Sequence, residues 1–179
     1  KYRSLIILYL IVDKPKVLDC NWIFFPGKDI IINRLSEQKS FSKYTCPENK
    51  TALYAEITCD YDDWRWNSSD YDVFEMVISD LEKAKLLKRE EVDEYFTRRA
   101  RQVYPVYNKD FRKHLNVILE YLDTIENLQT TGRQGLFNYN NTDHCLDMAN
   151  KTAEYIKKNK STKDWRELRE YFDSYKIVD

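Results

Sequence analysis

Glycine is scarce in this chain, with three residues in 179. A G-x-G-x-x-G fingerprint for a dinucleotide needs three within six positions, and Gly27, Gly132 and Gly135 cannot form one. Histidine is rarer still, with His114 and His144 alone. The four cysteines, Cys20, Cys46, Cys59 and Cys145, make no C-x-x-C pair, which argues against a structural zinc site. Their spacing is not that of a dense disulfide framework, so the thiols read as reduced and the protein as cytoplasmic. Excess charge is absent too. Twenty-nine basic residues face thirty acidic ones, a formal net charge of -1. That leaves no electrostatic footprint for nucleic acid or an anionic membrane. The apolar run Leu5 to Val12 is eight residues long, too short to span a bilayer. Asp13-Lys14-Pro15-Lys16 after it lacks a small-residue cleavage site.

What remains is an ordered globular composition, 42% apolar and 15% aromatic, in a chain long enough for a real core. The first third reads as sheet. Residues 3–12 form an Ile- and Leu-rich strand. Trp22 to Gly27 is a second, ended by a Pro-Gly turn signal, residues 30–35 a third, and residues 51–59 a fourth with one buried face. The middle turns helical. Val73, Phe74, Val77, Ile78 and Leu81 recur at helical spacing after the cap candidates Ser68, Ser69 and Asp70. A short helix is expected at 90–97, and an extended segment at 101–107, because Tyr104 precedes a proline. A second stripe runs through Phe111, Leu115, Ile118, Leu119 and Leu122. Residues 128–131 read as a short strand, 143–158 as a helix and 162–175 as a charged amphipathic helix. The fold class is therefore α+β: a mixed or antiparallel twisted sheet of about four to six strands, with helices packed on it. A start in mid-strand without an initiator methionine leads us to expect a piece of a longer protein.

Two of the three glycines flank Arg133, in Gly132-Arg133-Gln134-Gly135. They stand just before a helix that Asn141, Thr142 or Asp143 could cap. Glycine permits positive φ and close backbone approach. A helix start offers unpaired N–H groups, and arginine offers a fork of donors suited to phosphate or carboxylate. On spacing alone, a structural turn with an ordinary cap is the better account of this stretch, because two glycines and an arginine are weak evidence for a ligand.

The stretch from Gly132 to Asp143, G-R-Q-G-L-F-N-Y-N-N-T-D, resembles the C-terminal flavin-contacting motif of UDP-galactopyranose mutases, roughly G-R-x-x-x-Y-x-Y-x-D-M-D/H. Two more blocks follow that family's order. Asn33 to Phe41, N-R-L-S-E-Q-K-S-F, resembles T-R-I-x-E-x-K-x-F, and Tyr104 to Asn108, Y-P-V-Y-N, resembles Y-P-V-x-D/N. Looser forms occur across the amine-oxidase-like and protoporphyrinogen-oxidase-like flavoproteins. The resemblance implies FAD as cofactor, contacted by Gly132, Arg133, Gly135, Asn141, Thr142 and Asp143, and a substrate met by Arg34, Tyr104 and Tyr139. It implies a FAD-dependent oxidoreductase, or a mutase-like isomerase, acting on a small molecule such as a nucleotide sugar or a related polysaccharide-pathway substrate. It also implies that residues 1–179 supply a substrate sheet and a flavin-contacting strand-turn-helix at 128–158, while the βαβ unit that holds the ADP part of FAD lies outside this chain. A homodimer is compatible with such a piece. Asn141 stands where the mutases have aspartate, and no segment matches their uridine grip, so the substrate class stays open. The rival expectation is a non-catalytic α+β module that binds a ligand or partner without cofactor. Arg34 has a plain alternative role, a sheet-surface ion pair with Glu37 or Glu56. Trp64-Arg65-Trp66 matches no family block, and Arg98-Arg99-Ala100-Arg101 reads as a solvated face or a domain contact.

Overall fold

A computed structural model describes residues 1–158 and 161–177. The chain divides into two compact units. One is a sheet unit, Tyr2–Val103; the other is a helical unit of Lys1 and the residues from Tyr104 onward.

The sheet unit is built on β1 (Tyr2–Val12), β2 (Trp22–Phe24), β3 (Arg34–Glu37), β4 (Thr51–Cys59) and β5 (Val92–Pro105), whose last two residues belong to the helical unit. The strand order is β2-β3-β4-β1-β5. β1 pairs antiparallel with β4, β4 with β3, and β3 with β2. At the β5 edge, Asp13 N donates to Glu91 O and Ser4 Oγ to Arg101 O, which sets β5 antiparallel to β1. The long apolar run of β1 resolves into alternation. Ile6, Leu8, Leu10 and Val12 are buried, while Ile7, Tyr9 and Ile11 between them are only partly so. Helix α1 (Asp70–Lys83) lays Val73, Phe74, Val77, Ile78 and Leu81 into the core with Leu35, Leu53, Ala55 and Ile57. Ser69 caps it, accepting from Asp72 N while the Asp72 carboxyl takes the Ser69 amide, two orphan donors satisfied reciprocally.

The expected helix at 90–97 is instead a 3-10 turn at Arg89–Glu91 followed by β5. The acids there favour helix locally, but strand pairing and packing win. Tyr95 stacks on Phe74 at 4.0 Å, and Thr97 is buried with its amide on Asp70. The arginine cluster that follows charges an edge strand, which discourages edge-to-edge pairing. Arg99 turns onto the carbonyls of Trp66 and Ser68, and Arg101 lies over the Tyr61 ring at 3.8 Å. The third strand begins at Arg34 rather than at residue 30. Residues 30–32 leave the ladder, with the Ile31 amide drawn to Asp80 of α1, 2.7 Å away, while Asn33 still donates to Glu56 O and accepts from Phe25 N.

The helical unit contains α2 (Phe111–Leu122), the single turn α3 (Gly132–Gly135), α4 (Thr142–Lys157) and α5 (Thr162–Asp173). Leu136, Met148, Tyr155, Trp165 and Phe172 form its core, with Leu119 and Leu168 packed against it. Asp123, just past α2, is almost wholly buried and takes Arg166 and Arg169 of α5 at 2.6–2.8 Å. No strand forms at 128–131. With no neighbouring strand to pair with, these residues bond through side chains: Thr130 Oγ1 donates to Gly135 O at 2.8 Å, and Thr152 Oγ1 to Thr131 Oγ1 at 3.3 Å. The expected strand-turn-helix is therefore an extended segment, one helical turn and a helix. Among the described residues no helix is long and apolar enough to cross a membrane.

Candidate functional site

Gly132 opens the turn at φ +82°, a conformation L side chains rarely adopt. A Cβ there would meet nothing within 4 Å, so this glycine is required by backbone conformation and not by crowding. Gly135 is the reverse. A Cβ there would lie 2.6 Å from Thr130 Oγ1, in the way of the hydrogen bond that closes the turn. The chain then reverses through Leu136 to Asn140. Asn138 N reaches back to Arg133 O at 2.9 Å, and Phe137 takes φ +52°. Positive φ at a bulky residue stores strain that its surroundings must hold. Here Tyr107 and Phe111 hold it, with ring centroids 5.8 and 6.1 Å from Phe137.

This reversal brings three sequence-predicted residues together. Arg133 Cζ lies 5.5 Å from the Tyr104 ring and 4.9 Å from the Tyr139 ring. The two rings are 5.7 Å apart and inclined by 29°. Both guanidinium-to-ring distances fall within cation–π range. Arg133 Nε donates to Asn140 O at 3.1 Å, and Nη2 donates to the same carbonyl. Tyr139 is fixed in turn, because its amide donates to Tyr107 Oη at 2.7 Å. Burial holds the Tyr107 phenol above its ordinary pKa, against the opposing bond from Tyr139, so it stays neutral and available as an acceptor. Asn141 is the N-cap of α4, with its amide donating to His144 Nδ1 at 3.2 Å. Thr142 and Asp143 are exposed in the first turn of that helix.

Two residues in this region escaped the sequence reading. Tyr107 was visible inside the Tyr104–Asn108 block but had no assigned role. Asn140 carried no signal of its own among Asn138, Asn140 and Asn141. It is 2% exposed, and its Oδ1 is buried with no hydrogen-bond partner. A buried acceptor in that condition calls for a donor.

Arg34 belongs to the sheet unit. It stands opposite Glu56 in the β3–β4 register, and its Nε and Nη2 donate to Glu56 Oε1 at 3.1 and 2.5 Å. Its Cζ also lies 6.0 Å from the Phe24 ring. The rest of the same block is structural. The Glu37 carboxyl is fully buried and accepts from Val17 N, Leu18 N and Thr51 Oγ1. Lys39 Nζ donates to the carbonyls of Pro47, Glu48 and Lys50, and Phe41 stacks on Trp22 at 5.7 Å.

No family profile matches the chain, and no curated protein does. Solved structures do. The crystal structure of a reduced UDP-galactopyranose mutase superposes with a TM-score of 0.64 at 20% identity, over 75% of this chain and 29% of that one. A putative protoporphyrinogen oxidase from Exiguobacterium sp. 255-15 superposes at 0.58 and 16% identity, over 69% of this chain and 28% of that one. The fold is thus the one expected from the three motif blocks, and the chain spans less than a third of each of these solved proteins.

Proposed function

We propose that this chain forms the substrate sheet and flavin-contacting turn of a FAD-dependent enzyme, either an oxidoreductase or a mutase acting on a small molecule of the nucleotide-sugar kind. One observation carries the reading: residues from two separate motif blocks, Tyr104 on one side and Arg133 with Tyr139 on the other, meet in one cluster. The local chemistry is compatible with a flavin. The buried Asn140 Oδ1 lacks a donor, and the space beside Gly132 is open to close approach. Gly132, Arg133, Gly135, Asn141, Thr142 and Asp143 would hold the cofactor. Arg34, Tyr104 and Tyr139 would meet the substrate. When bound, FAD supplies electron transfer at its ring system, and the protein's part is binding, orientation and electrostatics. The N-terminus of α4 disfavours positive charge and favours an electron-rich ring beside it. Arg133, anchored on the Asn140 carbonyl and lying beside the Tyr104 and Tyr139 rings, is a pre-positioned cation for an anionic group. The setting we assign is the cytoplasm.

The test is to purify the whole protein and record its visible spectrum, then release any chromophore by gentle denaturation. The yellow spectrum of an oxidised flavin, with FAD in the supernatant, is expected. A colourless protein that takes up no added FAD overturns the reading. It would instead favour a cofactor-free binding module, in which the bonds from Arg133 to Asn140 O serve only to close the turn.

A further inference from the structure

We infer that the sheet unit carries a second ligand site, for a ring compound bearing a phosphomonoester, in the cleft beside Trp64. This stands on the sheet unit alone and does not depend on the flavin reading. The cleft has a volume of about 850 Å³, within the range of small-molecule sites. Its walls are the loop at 27–31, the outer turns of α1, and the turn at 60–67.

That last turn is built rigidly. Asp62 sits at φ +66°. The Asp63 carboxyl accepts from the amides of Asp60, Arg65 and Trp66 at 2.9–3.1 Å, and Asn67 Nδ2 donates to Asp62 O at 3.2 Å. The product of this bracing is a displayed indole. Trp64 is 62% exposed and lines the cleft, with Arg65 Cζ 5.2 Å from its ring. An indole fixed by its backbone and backed by a guanidinium is a stacking platform for a flat ring.

Among the side chains that line it, cations outnumber carboxylates. Arg3, Lys28, Arg65 and Lys83 line the cleft against Asp29 and Asp80. Asp80 is already engaged with Ile31 N and lies 3.5 Å from Lys83. Arg3 and Arg65 also converge. Both reach the carbonyl of Thr58, at 3.4 and 3.5 Å, while each also pairs with a carboxylate, Asp60 and Asp63 respectively. Two guanidinium groups that meet at one carbonyl oxygen present converging N–H donors, an arrangement suited to hold a phosphate oxygen between them. A cation pair beside an exposed ring selects a phosphate carried on a ring, from either a nucleotide or a sugar phosphate.

The whole protein is titrated by calorimetry with adenosine monophosphate, glucose 1-phosphate and inorganic phosphate. At least one ester should bind about thirtyfold tighter than phosphate, the middle of the range for stacking on an aromatic face. Binding of the nucleotide alone, or of the sugar phosphate alone, identifies the source. Trp64→Ala should bring ester affinity down to that of phosphate. Lys28→Glu, on an exposed loop residue, should weaken all three ligands, and added salt should act the same way. Flavin content should be unaltered in both variants, which separates this test from that of the cofactor. Absence of saturable ester binding, or esters that bind Trp64→Ala as tightly as the parent, overturns the inference.

Discussion

Removing the Glu37 carboxyl tests the structural account of the Arg34–Phe41 region. Glu37 is fully buried, as are Thr51 and, nearly so, Leu18. One oxygen accepts from Val17 N at 3.0 Å and Thr51 Oγ1 at 2.7 Å, and the other accepts from Leu18 N at 2.7 Å. These bonds tie the segment after β1 to β3 and β4. Glu37→Ala leaves the buried Leu18 amide and the half-buried Val17 amide without acceptors, while the Thr51 hydroxyl can rotate in search of another. At roughly 1–3 kcal/mol for each orphaned group, the loss is about 4 kcal/mol. For a chain of this length that corresponds to a fall in Tm of about 8–16 °C. Glu37→Gln keeps one acceptor and turns an N–H₂ toward the Leu18 amide, so it should lose about half as much. Thermal melts followed by circular dichroism, with urea unfolding to confirm an unchanged m value, give both numbers. An alanine variant within about 1 kcal/mol of the parent, on the same scale of orphaned-group costs, would refute the clasp.

Other consequences follow from the same geometry. Gly132→Ala forces a Cβ into φ +82° and should cost about 1 kcal/mol without any clash, read from the same melts. Gly135→Ala pushes on Thr130 Oγ1 and should cost more, about 2 kcal/mol, since it loses a hydrogen bond as well as fit; equal losses at the two glycines would contradict the distinction drawn between them. At Asp123, burial pushes the carboxyl pKa upward, but Arg169 and Arg166 outweigh it and hold the group below its ordinary value. A depressed folded-state pKa contributes stability that is full above the unfolded value of about 4 and is lost as pH falls through the folded one. Asp123→Asn should therefore narrow the stability difference between pH 5 and pH 2, and should destabilise by about 3 kcal/mol near neutrality by stranding the buried Arg169; an unchanged acid profile would show that the pair carries no such load.

Much of this architecture was legible where one period dominated. β4 was read with its observed bounds, 51–59, because apolar and polar residues alternate along it. Helices α1, α2, α4 and α5 were found within a few residues, because their apolar stripes are unambiguous. The end of β5 is legible in the extended segment at 101–107, whereas its first half reads as helix because Asp93 and Glu94 stand near its start, and only the stacking of Tyr95 on Phe74 and pairing along β1 reveal why it extends. Leu128–Thr131 looked like a strand in isolation, but a strand needs a neighbour, and neighbours are not written in four residues. At the candidate site, Arg133, Tyr104 and Tyr139 were chosen from motif blocks and lie together. The acceptor that positions Arg133 is a backbone carbonyl, that of Asn140, which no side-chain pattern can announce. The block around Arg34 had been read for its arginine, yet its buried glutamate and its lysine hold the fold.

The most direct measurement is amide hydrogen exchange on the whole protein without FAD and with FAD added. New protection is expected across residues 132–143, centred on Arg133 and Asn140, with a weaker effect in an Arg133→Ala variant. FAD binding that leaves residues 132–143 unprotected would contradict this expectation.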